Sequence, residues 1–162
     1  MKMFIAIAGV GLLSLLLLGN PTPLYADSPN PGSENFLGEK GQELIPIRGI
    51  ISLDAEVFQN EKVRFFHTFL SPKNPIYFLI VRNDSTYHIL ANACRFCFQA
   101  KSGFYVEGDH IICRVCETPY HIEEVATIQE GCSPLPIKTN LVAKEGKISF
   151  PKKILEKFIS YF

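Results

Sequence analysis

The chain has no tryptophan and only two methionines, and its 16 basic residues balance its 16 acidic ones, for a net charge of zero over 162 residues. A balanced surface carries no electrostatic footprint for nucleic acid. There is no Ser-His-Asp arrangement, no phosphate-cradling glycine loop and no paired-carboxylate site, so nothing marks a catalytic centre of those kinds. The first arginine is Arg48, which excludes a twin-arginine export signal ahead of it. Covalent haem needs a histidine directly after Cys-x-x-Cys, and Phe98 and Glu117 hold those places. One long apolar run exists, Phe4–Leu18, and its fifteen residues are short for a membrane-spanning helix.

That run has the length of a signal-peptide core. Lys2 precedes it, and Leu24-Tyr25-Ala26 follows a proline-bearing stretch, so residues 1–26 read as a cleaved signal peptide or an uncleaved N-terminal membrane anchor. Either reading exports the remainder to the periplasm or the outer face of the cytoplasmic membrane. Residues 27–42, rich in Pro, Gly, Ser and Asn, read as a flexible linker, with order beginning near Glu43. Residues 43–162 are long enough for one modest domain.

Thirteen Phe and six Tyr give that domain a β-rich aromatic character. Val63, Phe65, His67 and Phe69 approximate strand alternation. Ile76–Arg82 is a continuous apolar run of buried-strand type, and Thr86–Ala91 leads a third strand. Turn clusters at 71–75 and 83–85 join the three into an antiparallel meander. Short hairpins are expected around Glu107-Gly108-Asp109, and around Lys144-Glu145-Gly146 between Leu141-Val142-Ala143 and Lys147-Ile148-Ser149. Pro151–Tyr161 reads as a helix with Ile154, Leu155, Phe158 and Ile159 on its apolar side. The fold class is therefore mainly β, α+β in detail: an antiparallel meander with two zinc-ribbon-like cysteine knuckles and a C-terminal helix.

All five cysteines fall between residues 94 and 132. Cys94-Arg95-Phe96-Cys97 and Cys113-Arg114-Val115-Cys116 are separated by fifteen residues, and Gly131-Cys132-Ser133-Pro134 follows. A two-residue gap lets a tight turn aim two sulfurs at one point, and two such knuckles supply a tetrahedron of thiolates for zinc or iron. Structural disulfides are the bland rival in an exported protein, but Cys-x-x-Cys loops are small and one cysteine of five stays over. Cys132 is either a spare near the metal or a replacement for one of the four. It also admits a second function class, a thiol–disulfide oxidoreductase using Cys132 and one Cys-x-x-Cys pair, although neither pair has the βαβ context of thioredoxin-like chemistry. A third class is a structural zinc-ribbon interaction module. Arg95 and Arg114 are candidates to offset excess thiolate charge. His110 and His121 lie near Cys113 and Cys116 in sequence and read either as supporting ligands or as ordinary solvated histidines. His67 and His88 read as packing or surface residues, and Glu123-Glu124 as a solvated turn.

Three stretches carry a resemblance: Ala93–Cys97 with Gly103–Asp109, Cys113–Cys116, and Gly131–Pro136 with the closing Tyr161-Phe162. From about Val63 to Phe162 the chain resembles the FtrD-like family, described as membrane iron–sulfur-containing proteins. It departs at Asn92, where the family's usual residue is acidic, and at Glu117, where it is glycine. The resemblance implies an exported or membrane-associated metal protein accompanying iron-transport or redox systems, with a membrane permease or redox protein as partner. It implies iron or an iron–sulfur cluster, whereas thiolate chemistry alone favours zinc.

Overall fold

The computed structural model describes residues 35–162. The residues expected to form the signal or anchor, and the first half of the expected linker, lie outside the described part. Among the described residues no helix is long and apolar enough to cross a membrane.

Ten strands build three sheets. The central sheet has the order β1 (Gln42–Glu43), β3 (Val63–Ser71), β4 (Asn74–Asn83), β5 (Thr86–Cys94), β9 (Pro134–Val142). The expected meander is β3-β4-β5, each pair antiparallel; β1 adds a parallel edge to β3. β2 (Ile50–Asp54) and β10 (Lys147–Pro151) form a second, antiparallel sheet. β6 (Phe104–Glu107), β7 (His110–Cys113) and β8 (Pro119–His121) form the third.

Strand β4 explains the layering. Ile76 through Val81 is buried without interruption because both of its faces are covered. Ile76, Phe78 and Ile80 point into a core shared with Ile51, Leu53, Phe58, Phe150 and Leu155, beneath the β2–β10 pair and the C-terminal segment. Leu79 and Val81 point the other way, into a second core with Leu90, Phe104, Ile111, Tyr120 and the buried Cys94 and Cys113. The cysteine module is thus one apolar layer of the domain.

Two expectations need correction. Order begins before Glu43: Phe36 is buried and stacks on Tyr77 with centroids 4.0 Å apart and planes 8° from parallel, and Phe162 meets both rings edge-on. The aromatic slot made by β4 and the C-terminus captures Phe36 and leaves the neighbouring Leu37 exposed. The turn at 144–147 forms, with reciprocal backbone hydrogen bonds between Lys144 and Lys147. Its flanking strands, however, part into different sheets: β9 follows β5, and β10 follows β2. The expected C-terminal helix is present, as a 3-10 helix over Lys152–Tyr161.

Candidate metal centre

Cys94 ends β5, where it lies in register with Pro134 at the start of β9. The chain then turns sharply, and the backbone N–H of Cys97 donates to the Cys94 sulfur at 2.9 Å. The second knuckle is entered from β7. Cys113 ends that strand opposite Phe104, and its sulfur accepts the backbone N–H groups of Val115 and Cys116. The turn closes through Glu117 N–H to the Cys113 carbonyl at 2.9 Å. Glu117 has φ of 55°, in the left-handed region where a side chain is strained.

Cys132 arrives by a separate route. Gly131 has φ of 60°, and a Cβ there would stand 3.0 Å from the Tyr120 hydroxyl, so the position suits glycine on both counts. The Cys132 backbone N–H reaches that hydroxyl. Ser133 donates to the Ile128 carbonyl at 3.2 Å and fixes the loop behind it.

The sulfurs of Cys94, Cys97, Cys113 and Cys132 all lie within 4.8 Å of one another, and those of Cys97 and Cys132 are 3.5 Å apart. A tetrahedral ion with metal–sulfur bonds of about 2.3 Å sets its ligands at edges of about 3.8 Å. The donor set therefore fits one thiolate-bound transition-metal ion. The quartet differs from two complete knuckles: Cys132 stands in it, and Cys116 stands at its margin, exposed. The Cys116 sulfur accepts the Thr118 hydroxyl at 3.2 Å and lies outside the group of four.

The thiols perturb one another strongly. Burial, aided by the thiols of Cys132 and Cys94, pushes Cys97 far above the ordinary thiol range. The Cys116 contact, together with burial, pushes Cys132 up to about 12. Burial raises Cys113 despite its backbone N–H partners. Cys116 goes the other way: burial would raise it, but the Thr118 hydroxyl and backbone, with the thiols of Cys132 and Cys113, bring it down to about 6. Four thiolates this close repel each other, so protons stay on until a cation replaces them.

Two residues outside the cysteines hold the site. Asn92, fully buried, donates from its amide to the Glu39 carbonyl at 2.8 Å and accepts the Phe104 N–H at 2.8 Å. It thereby ties the end of β5 to β6 and to the N-terminal segment. Tyr120 is the other, through Cys132. Neither carried a metal-ligand signal in the sequence; only Asn92 stood out, as an amide in a usually acidic place.

The remaining candidates lie elsewhere. Arg114 donates to the Phe104 carbonyl at 3.3 Å and sits over the Tyr105 ring, engaged with β6 rather than with the thiols. Arg95 is exposed. His110 and His121 pack edge-to-face on each other, centroids 5.4 Å apart, outside the sulfur group. His67 donates from Nδ1 to the Lys40 carbonyl. His88 is buried between Thr86 and the Asn140 N–H. Glu123 is exposed and pairs with Lys62 at 3.1 Å.

A mainly β domain with a thiol quartet around one point defines a protein with a cysteine cluster able to coordinate a transition metal. The chain belongs to the FtrD-like family of membrane iron-sulfur containing proteins, whose model matches residues 58–162. No curated protein matches the chain. No solved structure matches it.

Proposed function

We propose that this chain holds a single iron ion in the quartet of Cys94, Cys97, Cys113 and Cys132, on the outer side of the cytoplasmic membrane, as an accessory to metal uptake or electron transfer. The observation that carries the reading is the mutual sulfur separation below 4.8 Å. In a multinuclear cluster the four cysteines are divided among two or more irons, which spreads sulfurs on different irons beyond the edge of a single-ion tetrahedron. The family description, membrane iron-sulfur containing protein, supports iron as the metal. The apolar run Phe4–Leu18 supports the membrane location. Iron held by these four sulfurs would supply one-electron redox chemistry. The protein's part is to fix the four sulfurs, donate N–H groups to Cys94 and Cys113, and keep Cys94 and Cys113 out of water.

The test is elemental analysis, inorganic sulfide assay and visible spectroscopy on the full chain purified from membranes without oxygen. One iron per chain, no inorganic sulfide, and visible bands that bleach on reduction are expected. Iron with matching inorganic sulfide would replace the single ion by a cluster. One zinc with a featureless visible spectrum would make the domain a structural zinc-clamped module. No metal, with oxidised cysteines, would favour a thiol–disulfide oxidoreductase, the reading that the 3.5 Å approach of Cys97 and Cys132 supports.

A further inference from the structure

Three isoleucines stand in solvent at one end of the domain. Leu44 and Ile51 turn into the core, but between them Ile45, Ile47 and Ile50 are 74%, 75% and 44% exposed. The segment doubles back in a two-residue turn. The Ile47 N–H donates to the Ile50 carbonyl at 2.9 Å, and the Ile50 N–H to the Ile47 carbonyl at 3.0 Å. Both central residues have positive φ, 51° at Arg48 and 80° at Gly49, the pattern of a type I′ hairpin. The paired Ile47 and Ile50 therefore project from one face of it. A Cβ on Gly49 would meet nothing within 4 Å, so the tip stands clear of the domain. Arg48 makes no ion pair among the described residues. Single exposed aliphatic residues are common on protein surfaces, but three in one turn around a free cation form an amphipathic patch.

The hairpin sits where the preceding chain enters the domain. The Lys152 N–H donates to the Gly49 carbonyl and its ammonium to the Leu70 carbonyl, which ties the tip to the end of β3. In the turn that follows, Lys73 and Asn74 line one cleft with Asn35, the first described residue. The apolar run Phe4–Leu18 lies upstream, and the sixteen residues between it and Asn35 reach at most about 55 Å. We propose that the hairpin is a membrane-inserting tip. Ile45, Ile47 and Ile50 enter the facing lipid leaflet, and Arg48, with the exposed Lys73 and Lys153 at the same end, meets anionic headgroups. A protein hot spot centres on aromatic and arginine anchors that fill pockets. Here the anchors are aliphatic and protrude, the make-up of an interfacial segment. The proposal rests on the membrane location given above and adds the orientation of the domain. β5 runs antiparallel to β4, so Cys94 lies at the end of the sheet where β4 begins, the end that carries the hairpin. The tip thereby holds the quartet on the membrane side, and the paired Thr86 and Val142, at the opposite end, face away.

The chain has no tryptophan, so Ile47→Trp installs a single fluorophore at an exposed position. The test reconstitutes the full chain in vesicles of phosphatidylcholine and phosphatidylglycerol, with and without bromine on the acyl chains. Ile47→Trp is expected to emit to the blue of a solvated indole and to be quenched by the brominated lipids. Quenching should be strongest from bromine near the headgroups, at the depth of about 5–10 Å that interfacial segments reach. Val142→Trp, at a position 60% exposed, is expected to stay unquenched. Adding Ile45→Asn and Ile50→Asn to Ile47→Trp is expected to abolish the quenching, which separates the part of the isoleucines from that of the indole itself. An unquenched Ile47→Trp, quenching equal to that of Val142→Trp, or quenching that survives the double substitution would overturn the tip while leaving the membrane location standing. Blue-shifted emission without quenching would put protein on the hairpin, a second copy included, and would overturn the tip as well. A chain that does not float with the vesicles would overturn both.

Discussion

The sulfurs of Cys97 and Cys132, 35 residues apart in sequence, lie 3.5 Å from each other. One sits in the turn after β5 and the other just before β9, and those two strands are neighbours in the central sheet. The contact is thus a product of strand pairing, which carries Cys132 back to the knuckle that the chain left at Cys97.

The hydroxyl of Tyr120 is the group that holds Cys132 from behind. Tyr120→Phe is expected to keep the fold at a cost of about 1 kcal/mol, the worth of one hydrogen bond. Its metal affinity is expected to fall by roughly tenfold, as for other residues that orient a ligand. Chelator competition against the wild-type chain measures it; unchanged affinity would leave Tyr120 a packing residue only.

Asn92 satisfies two buried backbone groups at once. Asn92→Ala orphans the Glu39 carbonyl and the Phe104 N–H and is expected to cost about 2–3 kcal/mol. Urea denaturation would show it as a lower midpoint with an unchanged slope.

Glu117 occupies a left-handed position next to the second knuckle. A non-glycine residue there costs about 1–2 kcal/mol, and glycine returns part of that as unfolded-chain entropy. Glu117→Gly is therefore expected to raise stability by about 0.5 kcal/mol, read as a higher thermal midpoint; a lower one would refute the strain.

His88 gives the fold a pH dependence. The Asn140 N–H donates to its Nδ1, so the ring proton sits on Nε2, facing the Thr86 oxygen. Burial lowers its pKa below the ordinary 6.5. The unfolded chain therefore binds this proton at a higher pH than the folded chain does. The contribution is intact above about pH 6.5 and declines as the pH falls from there through the folded-state pKa. His88→Gln is expected to flatten stability against pH across that window, measured by urea midpoints at successive pH values. A slope equal to wild type would assign the acid sensitivity to other groups.

Phe36 makes the N-terminal boundary testable. A chain starting at Glu43 loses the stack on Tyr77 and one of the two residues of β1. It is expected to be about 3 kcal/mol less stable than one starting at Asn35, within the range for deleting a buried phenylalanine.

Much of this architecture was legible. Turn clusters and the apolar run Ile76–Arg82 located the meander because each strand pairs with the next in sequence. Cysteine spacing located the metal centre because ligand geometry is local within a knuckle. What the sequence hid is non-local. Leu141–Ala143 and Lys147–Ser149 look like one hairpin, and only the packing of β10 on β2 sends them apart. Phe36 looked solvated because it lies in a stretch rich in Pro, Gly, Ser and Asn, and its partner Tyr77 lies far along the chain. The choice between Cys116 and Cys132 for the quartet depends on β9 returning beside β5, which no spacing rule encodes.

That return has a further consequence. Cys94 and Pro134 are partners across adjacent strands, so everything from Arg95 to Ser133 leaves and re-enters the sheet at a single doorway. Four of the five cysteines and the whole β6–β8 sheet sit inside this excursion. In evolutionary terms it is a cassette. A unit whose ends lie side by side can be gained, lost or exchanged between proteins as one insertion, with the strand order of its host unchanged.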